Sequence, residues 1–209
     1  MKNYNKIIIL CLAGIGDTLL FIPALDEIIK KYKNSKIEVL VMYKSSKQIL
    51  ENSYPNLDII WFDFINKGKL ESLKFVMNLR KNKYDLCVTS YPANRIEYNV
   101  IAFLIGAKKR VAHDYFIGNY LLNARFLQTN LVKQNSKKDK YMHNVEENLK
   151  LLRLLKMNIV KNPKINLKIS KKDIKFSKDF LKQSKISKKN KIIGIHAGTG
   201  ETKNLHLRR

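Results

Sequence analysis

Two cysteines, four prolines, eight glycines and one tryptophan in 209 residues put several classes of protein out of reach. Cys11 and Cys87 lie far apart, each inside an apolar run, so they read as buried thiols and not as a disulfide framework or a metal site. The four histidines, His113, His143, His196 and His206, share no metal-ligand spacing with cysteines or carboxylates. The longest apolar runs, such as Ile7–Leu12, fall far short of the ~20 residues that span a bilayer, so no transmembrane helix is expected. Residues 1–6 are polar, and the apolar run after them leads into a glycine turn instead of a small-residue cleavage site. No secretory signal is read, and the expected compartment is the cytoplasm.

Acidic residues are scarce. Against 41 Lys and Arg stand 17 Asp and Glu, for a formal charge of +24. Most of the cations are lysines, dispersed along the chain, with abundant Asn and Ile. That pattern reads first as composition, second as attraction to an anionic membrane surface or glycolipid, and third as nucleic-acid binding. No helix-turn-helix, zinc-finger or RNP pattern is present, so no nucleic-acid partner is expected.

What is present is alternation. Lys6–Leu12 is a continuous β-branched run, followed by the turn Ala13-Gly14-Ile15-Gly16-Asp17 and a helical stripe from Leu19 to Ile29. Pro23 falls within that stripe and predicts a late start or a bend. Strands are expected at Lys36–Met42, Leu57–Phe62, Leu86–Thr89 and Arg110–Ala112, with helices at Ser46–Glu51, Leu70–Lys81, Ile96–Ile105 and Val145–Leu155. Strands that are apolar throughout and alternate with helices predict an α/β fold, a parallel sheet covered on both faces. Residues 114–140 read as irregular, ending in a Lys-rich loop. A helix near Lys172–Gln183 lies in a polar stretch. Lys191–His196 reads as a fresh buried strand before the turn Ala197-Gly198-Thr199-Gly200, the opening of a second α/β domain that residues 191–209 leave incomplete. The expected division is 1–160, a linker and lead-in helix at 161–190, and 191–209.

Two loops can carry chemistry. Gly14-Ile15-Gly16-Asp17 opens a helix at the carboxyl end of the first strand, where open α/β sheets bind ligands. It is neither G-x-G-x-x-G, since position 19 is Leu, nor a Walker A loop, since no Gly-Lys-Ser/Thr follows. Asp17 there serves either as a helix N-cap or as a general base; both roles stay open on the residue alone. The second loop, His196 to Lys203, offers small residues, hydroxyls and a cation that can wrap a phosphate. His143 reads as a helix-start hydrogen bond.

Four segments, in order, carry a resemblance. IIILCLAGIGDTLLFIPALDEIIKKYKNSKIEVLV, RIEYNVIAFLIGAKKRVAH, HNVEENLKLLRLL and IIGIHAGTGETKNLHLRR together resemble the ADP-heptose:lipopolysaccharide heptosyltransferases of glycosyltransferase family 9. The resemblance implies a GT-B fold with a Rossmann-like N-terminal domain. It implies inverting transfer of heptose from an ADP-sugar to a lipopolysaccharide inner-core acceptor at the inner face of the inner membrane. In that reading Asp17 is the catalytic base and Gly14 and Gly16 bind substrate. Thr199, Gly200 and Lys203 hold the donor diphosphate, with no metal and no cofactor beyond the nucleotide-sugar substrate. The resemblance departs at Cys11, often polar in the family, and at Ala197, often Pro; the expected Trp has not appeared by Arg209. Two rivals remain: a GT-B enzyme using another nucleotide-sugar for O-antigen or capsule, and a non-catalytic polyanion-binding α/β protein.

Overall fold

The computed structural model describes residues 3–93, 95–114, 124–133, 142–187 and 190–195. The chain divides into two compact units, Met1–Lys168 and Ile169–Arg209. The first holds six strands: β1 (Lys6–Cys11), β2 (Lys36–Val41), β3 (Asp58–Trp61), β4 (Leu86–Thr89), β5 (Lys109–Asp114) and β6 (Asn130–Lys133). Between and after them run α1 (Ile15–Lys31), α2 (Lys44–Ser53), α3 (Lys69–Arg80), α4 (Ile96–Ile105) and α5 (Asn144–Leu154). Every strand pair is parallel, and the spatial order is β3-β2-β1-β4-β5-β6. This is the doubly wound sheet that the apolar strand runs predict.

Alternation along β1 divides the core. Ile7, Ile9 and Cys11 face one layer, where Phe21, Leu25 and Ile28 of α1 meet Leu149 and Leu152 of α5. Ile8 and Leu10 face the other, with Val76 and Leu79 of α3 and Ala102 and Ile105 of α4. A central strand that is inaccessible on both faces must be apolar at every position, which is why β1 reads as an unbroken run. Cys11 and Cys87 are buried free thiols, and burial pushes both up to about 12.

Several boundaries differ from expectation. α1 starts at Ile15, ahead of its apolar stripe, and runs through Pro23 to Lys31. The proline removes the N–H that the Leu19 carbonyl would accept. At the adjoining carbonyl, Leu20 O, Asn148 Nδ2 of α5 donates across the helix interface at 3.4 Å. Residues 114–140, expected to be irregular, contain a 3-10 turn (Arg125–Leu127) and β6. β6 is an edge strand, exposed at both ends, so its four residues lack the apolar signature of β1.

In the second unit, α6 (Lys171–Gln183) matches expectation and is capped by Ser170, whose Oγ accepts from the Asp173 N–H at 3.1 Å. Residues 191–195 are not a strand, and Ile192, Ile193 and Ile195 are exposed, which corrects the expectation of a buried strand there. A strand exists by pairing, and no other strand is described in this unit.

Gly106 ends α4 with φ +74°, and a Cβ there would lie 2.9 Å from Arg80 Nη1. An L-residue in this conformation costs about 1–2 kcal/mol. Gly106→Ala is expected to lower stability by at least that amount in a denaturant titration, because Arg80, which donates to Leu104 O, must also move.

Candidate active site

The strand order reverses at β1. β2 pairs on one side of it and β4 on the other, so the connections leaving β1 and β4 diverge and open a crevice at the carboxyl edge. The loop 12–14 and the first turn of α1 lie at that edge. Gly14 is the N-cap residue of α1, with φ −62° and ψ 175°, and no side chain caps the helix. Asp17 is therefore the third helical residue and not the N-cap, which settles one of the two roles left open above. The apolar stripe starts later than the helix because the first turn overhangs the edge: Ile15 and Gly16 are exposed and Asp17 is half-buried. The Asp17 carboxylate turns back toward the cap, where a Cβ built on Gly14 would lie 3.8 Å from Oδ2. The N–H groups of a first helical turn carry the positive end of the helix dipole, a favourable setting for this negative side chain.

The neighbours of Asp17 come from three other elements. Thr18 Oγ1 donates to Ser46 Oγ at 3.0 Å, tying α1 to α2 in a buried contact. The Tyr98 hydroxyl of α4 donates to Leu12 O at 3.2 Å. Burial raises the Tyr98 phenol, Arg95 opposes that rise, and Tyr43, Glu97 and Asp17 add to it. Through its bond to Leu12 O that phenol stands at the carboxyl end of β1, within electrostatic reach of Asp17, Tyr43, Arg95 and Glu97. Sequence reading found Asp17, Gly14 and Gly16 but assigned no role to Tyr43, Arg95 or Tyr98. Only the strand order brings those loops together. Thr199, Gly200 and Lys203 lie outside the described residues.

No protein-family model and no curated protein matches the sequence. Solved structures do match. A glycosyl transferase family 9 protein from Veillonella parvula superposes with a TM-score of 0.69 at 20% identity, over 90% of this chain and 51% of that one. E. coli ADP-heptose lipopolysaccharide heptosyltransferase II gives 0.62 at 16% identity, over 88% and 51%. E. coli heptosyltransferase WaaC with ADP-2-deoxy-2-fluoro heptose gives 0.59 at 15%, over 77% and 51%. The fold is that of the GT-B glycosyltransferases. The chain spans about half the length of the solved structures it matches.

Beneath the crevice of this GT-B-type unit lies a buried polar layer. Asn148 is inaccessible; its Oδ1 accepts from the Tyr91 N–H at 2.8 Å and its Nδ2 donates to Asn144 O at 3.0 Å and to Leu20 O. One side chain thus holds α1, α5 and the loop after β4 together. Beside it, His113 Nε2 donates to the Glu147 carbonyl at 2.8 Å, and the Tyr91 ring meets the imidazole edge-on at 5.3 Å. The Glu147 carboxylate accepts from Lys150 Nζ at 3.0 Å. His143 caps α5, its Nδ1 accepting from the Val145 N–H at 3.3 Å, the helix-start role read from sequence.

Among the described residues no group of three His, Cys, Asp or Glu side chains can hold a metal ion, and no helix is long and apolar enough to cross a membrane. At the opposite, amino edge of the sheet an open cleft of about 410 Å³ is lined by Ile29, Lys33, Lys36, Tyr54, Asp58 and Lys168. Its Lys36 is already paired with Glu38 at 2.7 Å and Asp58 at 3.2 Å.

Burial holds His113 down at about 4, with Lys150 adding to the shift and the Glu147 carbonyl opposing it. Between that value and the ~6.5 of an unfolded histidine, the unfolded chain takes up a proton that the folded one refuses. Stability is therefore complete above about pH 6.5 and falls on acidification toward pH 4, by up to about 3 kcal/mol. Urea titrations across that window are expected to show the loss, and His113→Gln is expected to flatten it.

Proposed function

We propose that this chain is the acceptor-side part of an inverting GT-B glycosyltransferase, with Asp17 as its base. The observation that carries the reading is the half-buried carboxylate on the first turn of α1, at the point where the strand order reverses, in a fold shared with family 9 glycosyltransferases. The acceptor hydroxyl lies against Asp17 and gives it its proton as the oxygen attacks the anomeric carbon of the donor. The bond from that carbon to the nucleoside diphosphate breaks, and the diphosphate leaves with the electron pair. An activated leaving group needs no second carboxylic acid, in contrast to the paired carboxylates of glycosidases. Gly14 and Gly16 keep the edge open, because any side chain at either position would stand beside the reacting hydroxyl.

The finer reading follows the resemblance. The donor is an ADP-heptose and the acceptor a lipopolysaccharide inner-core sugar at the cytoplasmic face of the inner membrane. Two of the matched solved proteins are named as heptosyltransferases, one of them described with an ADP-heptose analogue. Thr199, Gly200 and Lys203 hold the diphosphate and offset its charge. No metal and no cofactor enters the scheme.

Asp17→Asn tests the central claim. The Asp17 position is not the cap, so the change leaves the helix start intact, and thermal stability is expected to stay within a few degrees. In an enzyme that joins this part to a complete donor domain, turnover of ADP-heptose with an inner-core acceptor is expected to fall about 10²-fold or more. In amide chemical-shift mapping of the 209-residue chain, the acceptor alone is expected to move Gly14, Gly16 and Asp17. Acceptor binding that leaves those three amides untouched would place the site elsewhere and sink the reading.

A further inference from the structure

α3 presents two apolar sides. Val76 and Leu79 are buried in the core. Leu70, Leu73 and Met77, spaced three and four residues apart, form a second stripe with exposures of 74%, 44% and 42%. At 3.6 residues per turn this stripe lies roughly 125° around the helix from the buried side, so it points outward. Ile65, 60% exposed in the loop leading into α3, continues the apolar surface at the carboxyl edge of the sheet. Nothing in the packing of the fold calls for a leucine three-quarters exposed.

The flanks of the stripe are cationic. Lys69 projects on one shoulder, where Arg80 also lies but donates to Leu104 O, Lys74 and Lys81 on the other, and Lys67 and Lys83 follow at the two ends; all six are exposed. Asp63 and Glu71 are the only carboxylates between residues 63 and 83. Glu71 sits near Lys67 at 3.5 Å, and Asp63 Oδ1 and Oδ2 accept hydrogen bonds from the Asn66 N–H and side-chain amide.

We propose that the outer face of α3 lies on an anionic lipid surface, with Leu70, Leu73 and Met77 inserted among the acyl chains and the flanking cations at the level of the phosphates. An apolar strip between two rows of cations is the pattern of a helix lying in a membrane interface. A second copy of the chain is a poor occupant, because pairing two stripes in either orientation sets cationic shoulder against cationic shoulder. A partner protein would need a matching acidic frame around an apolar groove. The bilayer supplies both chemistries without any specific partner. The stripe begins at the edge that carries Asp17, so a lipid-borne sugar reaches the crevice without leaving its membrane. The contact does not depend on the transferase reading and is tested without it.

The test is co-sedimentation of the 209-residue chain with phosphatidylcholine vesicles, with and without phosphatidylglycerol. The chain is expected to bind the anionic vesicles at low salt. The variant Leu70→Ser/Leu73→Ser/Met77→Ser keeps every charge, so attraction by dispersed lysines alone would leave its binding unchanged. It is expected to bind at least about tenfold more weakly, the effect of withdrawing three apolar side chains from the lipid. Leu70→Ser alone, at the most exposed of the three positions, gives a smaller loss with no risk to the fold. The proposal is overturned if the parent ignores anionic vesicles at low salt. It is equally overturned if the α3 variants bind as the parent does, or if sedimentation shows a parent dimer that the α3 variant abolishes.

Discussion

β1 is paired in parallel on both sides and covered on both faces. Ile7, Ile8, Ile9 and Leu10 are wholly inaccessible, and every other strand takes its place by reference to them. Parallel pairing forces each connection to cross back over a face of the sheet, which brings α1 and α5 to one side and α3 and α4 to the other. With β2 and β4 both next to β1, the chain must reverse its direction of travel across the sheet there. The crevice at the end of β1 follows from that reversal, and the first turn of α1 opens into it. Asp17 stands at that crevice because β1 stands at the centre.

Such a crevice works only if the elements around it keep their places, and buried polar bonds supply that. Asn148 bridges α5 to α1 and to the loop after β4, and its carbonyl oxygen takes up the Tyr91 N–H. An apolar residue at this position would leave that N–H without its partner at a cost of about 1–3 kcal/mol. Arg125 donates to Asp114 at the end of β5, and toward the opposite, amino edge Tyr84 donates to Glu38, tying the start of β4 to β2. These contacts are specific in direction, as hydrophobic burial is not, and they fix the loops against one another.

The residues that the sequence makes legible are those whose neighbours in the chain decide their environment. β1, β2 and β4 are continuous apolar runs because both faces are covered, and α4 and α5 have clear ends at Gly106 and His143. What stays hidden depends on distant chain. Gly14, not Asp17, caps α1 because the helix overhangs the edge of the sheet. β6 takes its strand form from β5, to which Leu131 and Val132 are registered against Ala112 and His113, and its own four residues do not announce it. Residues 191–195 show the converse: Ile192, Ile193 and Ile195 are as apolar as β1, but they pair with no strand among the described residues. Tyr43 comes from the start of α2, and Arg95 and Tyr98 from the start of α4; only the order β2-β1-β4 brings those two helix starts to the edge that carries Asp17.

The charge at the start of α1 decides which ligand chemistry suits this edge. In dinucleotide-binding folds the corresponding helix start is left free of acidic side chains, and its N–H groups hold a diphosphate. Here Asp17 stands in that position. A diphosphate on the same N–H groups would lie beside the carboxylate, and two like charges 4 Å apart repel by about 4 kcal/mol at an effective dielectric constant of 20. A neutral hydroxyl suffers no such repulsion and gains a partner for its proton. The edge therefore disfavours an anion on those N–H groups and accommodates a neutral hydroxyl, although the chain carries a net charge of +24 that would draw anions toward its surface. Long-range attraction comes from the lysines, but selection at the crevice comes from one carboxylate, placed where the fold would otherwise hold a phosphate.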